Sequence, residues 1–186
     1  MTIYTRRGDT GETGRLRKGR IRKDDPAIEA MGAVDELNSF LGLARALVTD
    51  PEVEKVLHTL QKDLFAVGAG LAAHEATGAR IKRKPQVDVR MVRFMEETID
   101  RLSDELGTLR RFITPAGVTG AAVLHVARAV ARRAERAAVV LSAERELSPA
   151  LLSYMNRISD LLFVLARIEN QRSGGSEEEW RGLAGG

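Results

Sequence analysis

The sequence contains no cysteine, which excludes disulfides, thiolate nucleophiles and zinc sites built on sulfur. Aromatic residues make up only 4% of it, and they do not interleave with basic side chains as stacking platforms for nucleic acid do. The histidines His58, His74 and His125 show no metal-ligand spacing, so no metal site can be assigned from them. No apolar run approaches the roughly 18 residues that span a bilayer. The opening stretch MTIYTRRGDTGETG is too polar for the apolar core of a signal peptide. These absences lead us to expect a soluble, cytoplasmic protein with no membrane partner.

What is present favours helix. A chain of 186 residues, 44% hydrophobic, can bury one proper core. Ala, Leu, Arg and Glu are abundant and β-branched clusters few, which suits helices over strands. Asp25 and Pro26 form a cap and a first helical position, predicting a helix to about Val48. Pro51 opens a second helix, Gln86–Leu106 reads as a third, Val118–Arg145 as a fourth and the stretch after Ser148 as a fifth. Residues 75–85 and GTLRRFITPAG read as loops, and SGGSEEEWRGLAGG as a flexible tail. The expected fold class is all-α, a five-helix antiparallel bundle. Its expected organisation is an N-terminal segment over 1–24, the bundle over 25–173 and the tail over 174–186.

Two helices carry polar groups where a plain bundle has none. In ARAVARRAERAAVV, Arg128, Arg132, Arg133 and Arg136 punctuate an Ala/Val helix. Val123, Ala127, Val130, Ala134, Ala137 and Leu141 make its core stripe at 3.6 residues per turn. The opposite side, with Ala121, Leu124, His125, Arg128, Arg132, Glu135, Arg136 and Val139, mixes charge with apolar residues and suits a second interface or a cleft. Taken alone, the cluster equally fits a solvated face with an Arg132–Glu135 pair. In the first helix Asp35 and Asn38 share a stripe with Ile28, Met31 and Gly42. A carboxylate there calls for a partner, with Arg128 the favoured candidate, although a structural hydrogen bond between helices is an equal alternative.

The N-terminal segment adds anion-binding chemistry. Residues 1–23 hold eight Lys/Arg against Asp9 and Glu12, a local excess that points to a polyphosphate or a nucleic acid. GDTGETG offers amides and hydroxyls that can cradle phosphate. It lacks the Lys-Ser/Thr of a Walker A loop, and an ordinary turn explains it as well.

In order along the chain, IYTRRGDTGETG, KDDPAIEAMGAVDELNSFLGLA, RRFITPAG, LHVARAVARRAERAAVV and YMNRISDLLFVLAR resemble the PduO-type ATP:cob(I)alamin adenosyltransferases over about residues 3–170. The resemblance implies a five-helix bundle assembled as a homotrimer, with nucleotide bound between neighbours. It implies transfer of the 5′-deoxyadenosyl group of ATP to cob(I)alamin, giving adenosylcobalamin and triphosphate, with Mg2+ assisting through ligands the sequence does not identify. By that resemblance Thr5, Arg6, Arg7, Gly8, Thr13, Gly14 and Lys23 wrap the triphosphate, and Arg132, Arg133, Glu135, Arg136 and Asn156 contact the nucleotide. Arg128 pairs with Asp35 across the subunit boundary, and Phe112 stands beside the corrin and keeps its lower axial ligand off.

Thr114 and Ala116 depart from the FILPGG of many members, and Arg7 replaces a common threonine. Expected partners are a flavin-dependent reductase and an adenosylcobalamin-dependent acceptor enzyme, and no nucleic acid. The competing readings are a corrinoid carrier and a basic helical nucleic-acid binder.

Overall fold

The computed structural model describes residues 3–14, 19–73 and 86–180. Its helices are α1 (Pro26–Leu47), α2 (Pro51–Ala73), α3 (Val89–Leu106), α4 (Thr119–Glu144) and α5 (Pro149–Arg172). The two N-termini that a cap residue and a proline mark in the sequence are capped ones. Asp25 accepts from the Ala27 amide at 2.8 Å with Pro26 following, and Ser148 accepts from the Leu151 amide with Pro149 following. Both side chains satisfy amides that the first turn leaves without a partner.

The short links Val48–Asp50 and Arg145–Ser148 fold α2 back on α1 and α5 back on α4. α4 packs between α1 and α5, α3 covers another side of α5, and α2 lies on α1. α5 is accordingly buried almost all round, with Tyr154, Met155, Ile158, Leu161, Leu162, Leu165 and Ile168 in the core. Leu37 and Leu41 of α1 and Leu57, Leu60 and Leu64 of α2 belong to the same core. No helix among the described residues is long and apolar enough to cross a membrane.

Sandwiched between two helices, α4 buries a wider arc than one stripe. Ala121, Leu124 and His125, expected on its second mixed face, are buried, while Val123 and Ala137 are only partly so. The charged part of that face survives as Arg128, Arg132, Glu135 and Arg136. Gly120 lets the start of α4 approach the end of α1, since a Cβ there would lie 2.9 Å from the Val48 Cα. The buried Glu169 carboxylate secures the same corner by accepting from the Thr49 amide at 2.7 Å and the Asp50 amide at 3.2 Å.

Two features correct the sequence expectation. The N-terminal segment contains a small antiparallel hairpin, β1 (Glu12–Gly14) with β2 (Arg20–Arg22), in the register Thr13 opposite Ile21. Ile21 is its buried anchor, and three-residue strands are too short to show a period. Residues 174–180, expected as flexible tail, are held down. Ile113 bridges Glu179, and the Trp180 amide donates to the Phe112 carbonyl at 2.8 Å. The expected loop over 75–85 and the tail residues 181–186 lie outside the described residues.

Candidate active site

The charged remnant of the α4 face opens into a cavity of about 700 Å3 between α3, α4 and α5. Arg128 and Arg132 reach it from α4, Asp160, Phe163 and Arg167 from α5, and Leu109 from the loop that follows α3. The α5 positions fall at i, i+3 and i+7, one stripe of a helix, and the same stripe extended back one turn from Asp160 reaches Asn156. This pattern was available in the sequence but was hidden by the surrounding core residues.

The arginines divide by azimuth. Arg132 and Arg136 are exposed and form no salt bridge among the described residues. Arg133, one residue and about 100° further round, is turned to α1 and pairs with Glu36. Glu135 does not pair with Arg132; its carboxylate accepts from Asn156 Nδ2 at 2.8 Å, so two residues expected at the nucleotide lie together. Arg128 Nε is buried without a hydrogen-bond partner among the described residues.

Beneath them His125, 3% exposed, has no partner for either ring nitrogen among the described residues. Its ring stands 6.0 Å from that of Phe163. Burial pushes its pKa down and the nearby Arg128 cation pushes it the same way, against a weaker upward pull from Glu177.

A second cavity, of about 740 Å3, lies between α1, α2 and the hairpin. Thr13, Gly14, Asp35 and Asn38 supply its polar groups, and Ile28, Met31 and Phe65 its apolar wall. Asp35 is exposed rather than buried among the apolar residues of its stripe, so water relieves the cost that made a partner necessary. No Asp35–Arg128 pair forms within the chain among the described residues. Asn38 Oδ1, by contrast, is buried and has no partner among the described residues.

The N-terminal segment brings its expected residues together locally. The Lys23 ammonium lies over Gly8, where an added Cβ would sit 3.4 Å from Nζ. The Lys23 amide donates to Gly11 O at 2.9 Å. Arg6 takes a positive φ of 59° and places its guanidinium 5.6 Å from the centre of the Tyr4 ring.

Arg20, which no sequence motif singles out, ties the segment together by donating to Arg7 O and to the Glu12 carboxylate. Arg145 pairs with Asp25 at 2.8 Å and ties the hairpin's exit to the bundle. Thr5 and Arg7 are exposed beside Arg6 and Gly8. Phe112 is 80% exposed, three residues beyond Leu109 on the same loop.

A bundle of five helices with a Gly/Thr loop at one cavity and, among the described residues, guanidinium groups without salt bridges at another fits a nucleotide-dependent transferase. The sequence matches the family model for cobalamin adenosyltransferase over residues 3–169, and the chain belongs to that family. It is 40% identical over 184 residues to a corrinoid adenosyltransferase of Bacillus subtilis strain 168, covering 97% of this chain and 92% of that protein.

Its fold is that of a PduO-type ATP:corrinoid adenosyltransferase from Lactobacillus reuteri. A phenylalanine-to-alanine variant of that protein, complexed with cobalamin and ATP, superposes with a TM-score of 0.90 at 34% identity, covering 97% of this chain and 100% of that one. An arginine-to-lysine variant complexed with ATP gives 0.86 at 34% identity, covering 96% and 100%.

Proposed function

We propose that the chain transfers the 5′-deoxyadenosyl group of ATP to cob(I)alamin at a site completed between copies of itself. The observation that carries the second half is the split between the two cavities, which share no lining residue. One presents cations, among them Arg128, and the other presents Asp35 and Asn38, with Arg128 Nε and Asn38 Oδ1 both lacking a partner among the described residues. Buried polar groups left unsatisfied cost about 1–3 kcal/mol each, a cost that an assembly setting one cavity against the other relieves. A closed ring built from such a head-to-tail contact supports the homotrimer.

The chemistry asks for these residues. Cobalt(I) donates its electron pair to C5′, the cobalt–carbon bond forms, and the C5′–oxygen bond breaks with its electrons leaving on triphosphate. The nucleophile is the substrate itself, so the protein needs no general base. Its work is to steady the developing charge: Lys23, Arg6, Arg7 and the amides of Gly8, Thr13 and Gly14 from one copy, Arg132 and Arg136 from the next. Guanidinium holds phosphate oxygens in pairs and so fixes direction as well as charge. Asn156 orients Glu135 beside them.

Holding both reactants in line accounts for roughly 7–11 kcal/mol of such a barrier. Among the described residues no group of three His, Asp or Glu side chains gathers to hold an ion. Mg2+, if it assists, would come with the triphosphate and would share its charge with Lys23 and the arginines. Phe112, exposed near the cation-lined cavity, suits the apolar lower face of a corrin. A flavin-dependent reductase that supplies Co(I) and an acceptor that consumes adenosylcobalamin complete the reading.

The test is an anaerobic assay with ATP, magnesium and chemically reduced cobalamin, following the absorbance change as the cobalt–carbon bond forms. Stoichiometric adenosylcobalamin and triphosphate are expected. A chain that binds corrinoid without consuming ATP is a carrier, and the transfer reading then falls.

A further inference from the structure

The loop Gly107–Val118 that carries Phe112 has no regular structure to hold its shape. Its base is set from outside by Asn170, in the last turn of α5. This side chain is 1% exposed and lines neither cavity. Its Oδ1 accepts from the Val118 amide at 2.9 Å and its Nδ2 donates to Ala116 O at 3.1 Å. One carboxamide therefore reads an acceptor and a donor two residues apart on the loop backbone. Gly117 sits between them at φ +128°, and a Cβ there would lie 1.9 Å from Asn170 Oδ1. The amide occupies the space that any other residue at 117 would need.

The tip of the loop is held by the segment that Asn170 also starts. The Asn170 carbonyl accepts from the Gly175 amide at 2.8 Å, turning the chain back. The Thr114 amide then donates to Glu178 O, and the Trp180 amide to Phe112 O, both at 2.8 Å. Between these points Glu177 engages Arg167, at 2.9 Å, on the wall of the cation-lined cavity. Side chain and main chain of one residue thus govern both ends of the loop.

We infer that Asn170 is the positioning residue that fixes Phe112 for the corrin, without touching either substrate. The inference rests on the corrin-side reading of Phe112. Asn170→Asp keeps the acceptor for Val118 but sets a second acceptor against Ala116 O, while Asn170→Ala removes both contacts.

The test measures kcat and separate KM values for ATP and for reduced cobalamin in Asn170→Asp, Asn170→Ala, Phe112→Ala and the Phe112→Ala/Asn170→Ala double variant. Alongside, the absorbance spectrum of enzyme-bound Co(II) with ATP reports how much has lost its lower ligand. Loss of two such hydrogen bonds predicts a roughly tenfold fall in kcat/KM for cobalamin, an unchanged KM for ATP and less of the ligand-free Co(II) spectrum. The double variant should be no worse than Phe112→Ala alone, because residues acting through one another do not add.

Additive losses, or a KM for ATP that rises in step, would overturn the inference and leave the corrin-side reading standing. Wild-type cobalamin kinetics in Phe112→Ala would overturn both. If Asn170→Ala fails to fold, the near-isosteric Asn170→Asp carries the same comparison, paired with Phe112→Ala/Asn170→Asp.

Discussion

A buried histidine with no partner on either nitrogen is a costly residue, and its cost depends on pH. Burial and the Arg128 cation both hold the folded pKa of His125 below the ordinary imidazole value of 6.5, with Glu177 the opposing influence. Below that ordinary value the unfolded chain takes up a proton that the folded chain refuses. Stability therefore falls as pH drops from about 7 towards the depressed folded pKa, and is recovered above the window. His125→Leu should flatten the fall of the melting temperature as pH drops below about 7; an unchanged slope would assign the pH sensitivity to other groups. The same residue marks the limit of reading single positions from sequence. His125 stood beside Arg128 on a helical wheel, yet one lies in the core and the other at a cavity, because a helix held between two neighbours buries a wide arc. Arg133 was grouped with Arg132 by adjacency, but adjacency in a helix separates azimuths, and Glu36 of α1 claims it. Asn170 carried no signal at all, because its partners are backbone atoms more than fifty residues away in sequence.

Helices were legible where their ends are chemically marked. Asp25–Pro26 and Ser148–Pro149 announce their helices, and α1 and α5 begin where those pairs stand. The hairpin was not legible, because its strands run three residues each and only Ile21 is buried. Nor was the pairing of 112–114 with 178–180, which depends on main-chain geometry rather than on side-chain type. The caps allow a direct test of element stability. Ser148→Ala removes an acceptor for the Leu151 amide at the start of the most buried helix, a loss of about 1 kcal/mol. The melting temperature should fall by roughly 2–4 °C, while Ser148→Asp, another good cap, stays near the parent. Steady-state kinetics should not move in either variant, since Ser148 lines neither cavity. A change in kcat without a change in melting temperature would show that the start of α5 does more than fold.

At the scale of the molecule, one chain presents two unlike surfaces whose chemistry is complementary. The helix order brings α1 and α4 into direct contact, yet Asp35 and Arg128 end in different cavities. The resemblance named candidate residues and set Arg128 against Asp35 across a subunit boundary, whereas spacing alone does not say which copy supplies each, because a linear pattern has no faces. Mixing defective copies separates these possibilities. On the proposed reading Arg132→Ala removes a donor to the leaving triphosphate and should lower kcat by about 10²–10³-fold, and Asp35→Ala should disable the opposite cavity. Each variant alone is expected to be nearly inactive. When the two are coexpressed with different tags and purified as mixed assemblies, some contacts join an intact Asp35 surface to an intact Arg132 surface. In a head-to-tail trimer every mixed ring, of either composition, keeps one contact in about three intact, so the purified mixed assemblies should show about a third of the parent activity. Activity no greater than the sum of the two parents would place Asp35 and Arg132 in one protomer's site, and a catalytic centre shared between copies would have to be abandoned.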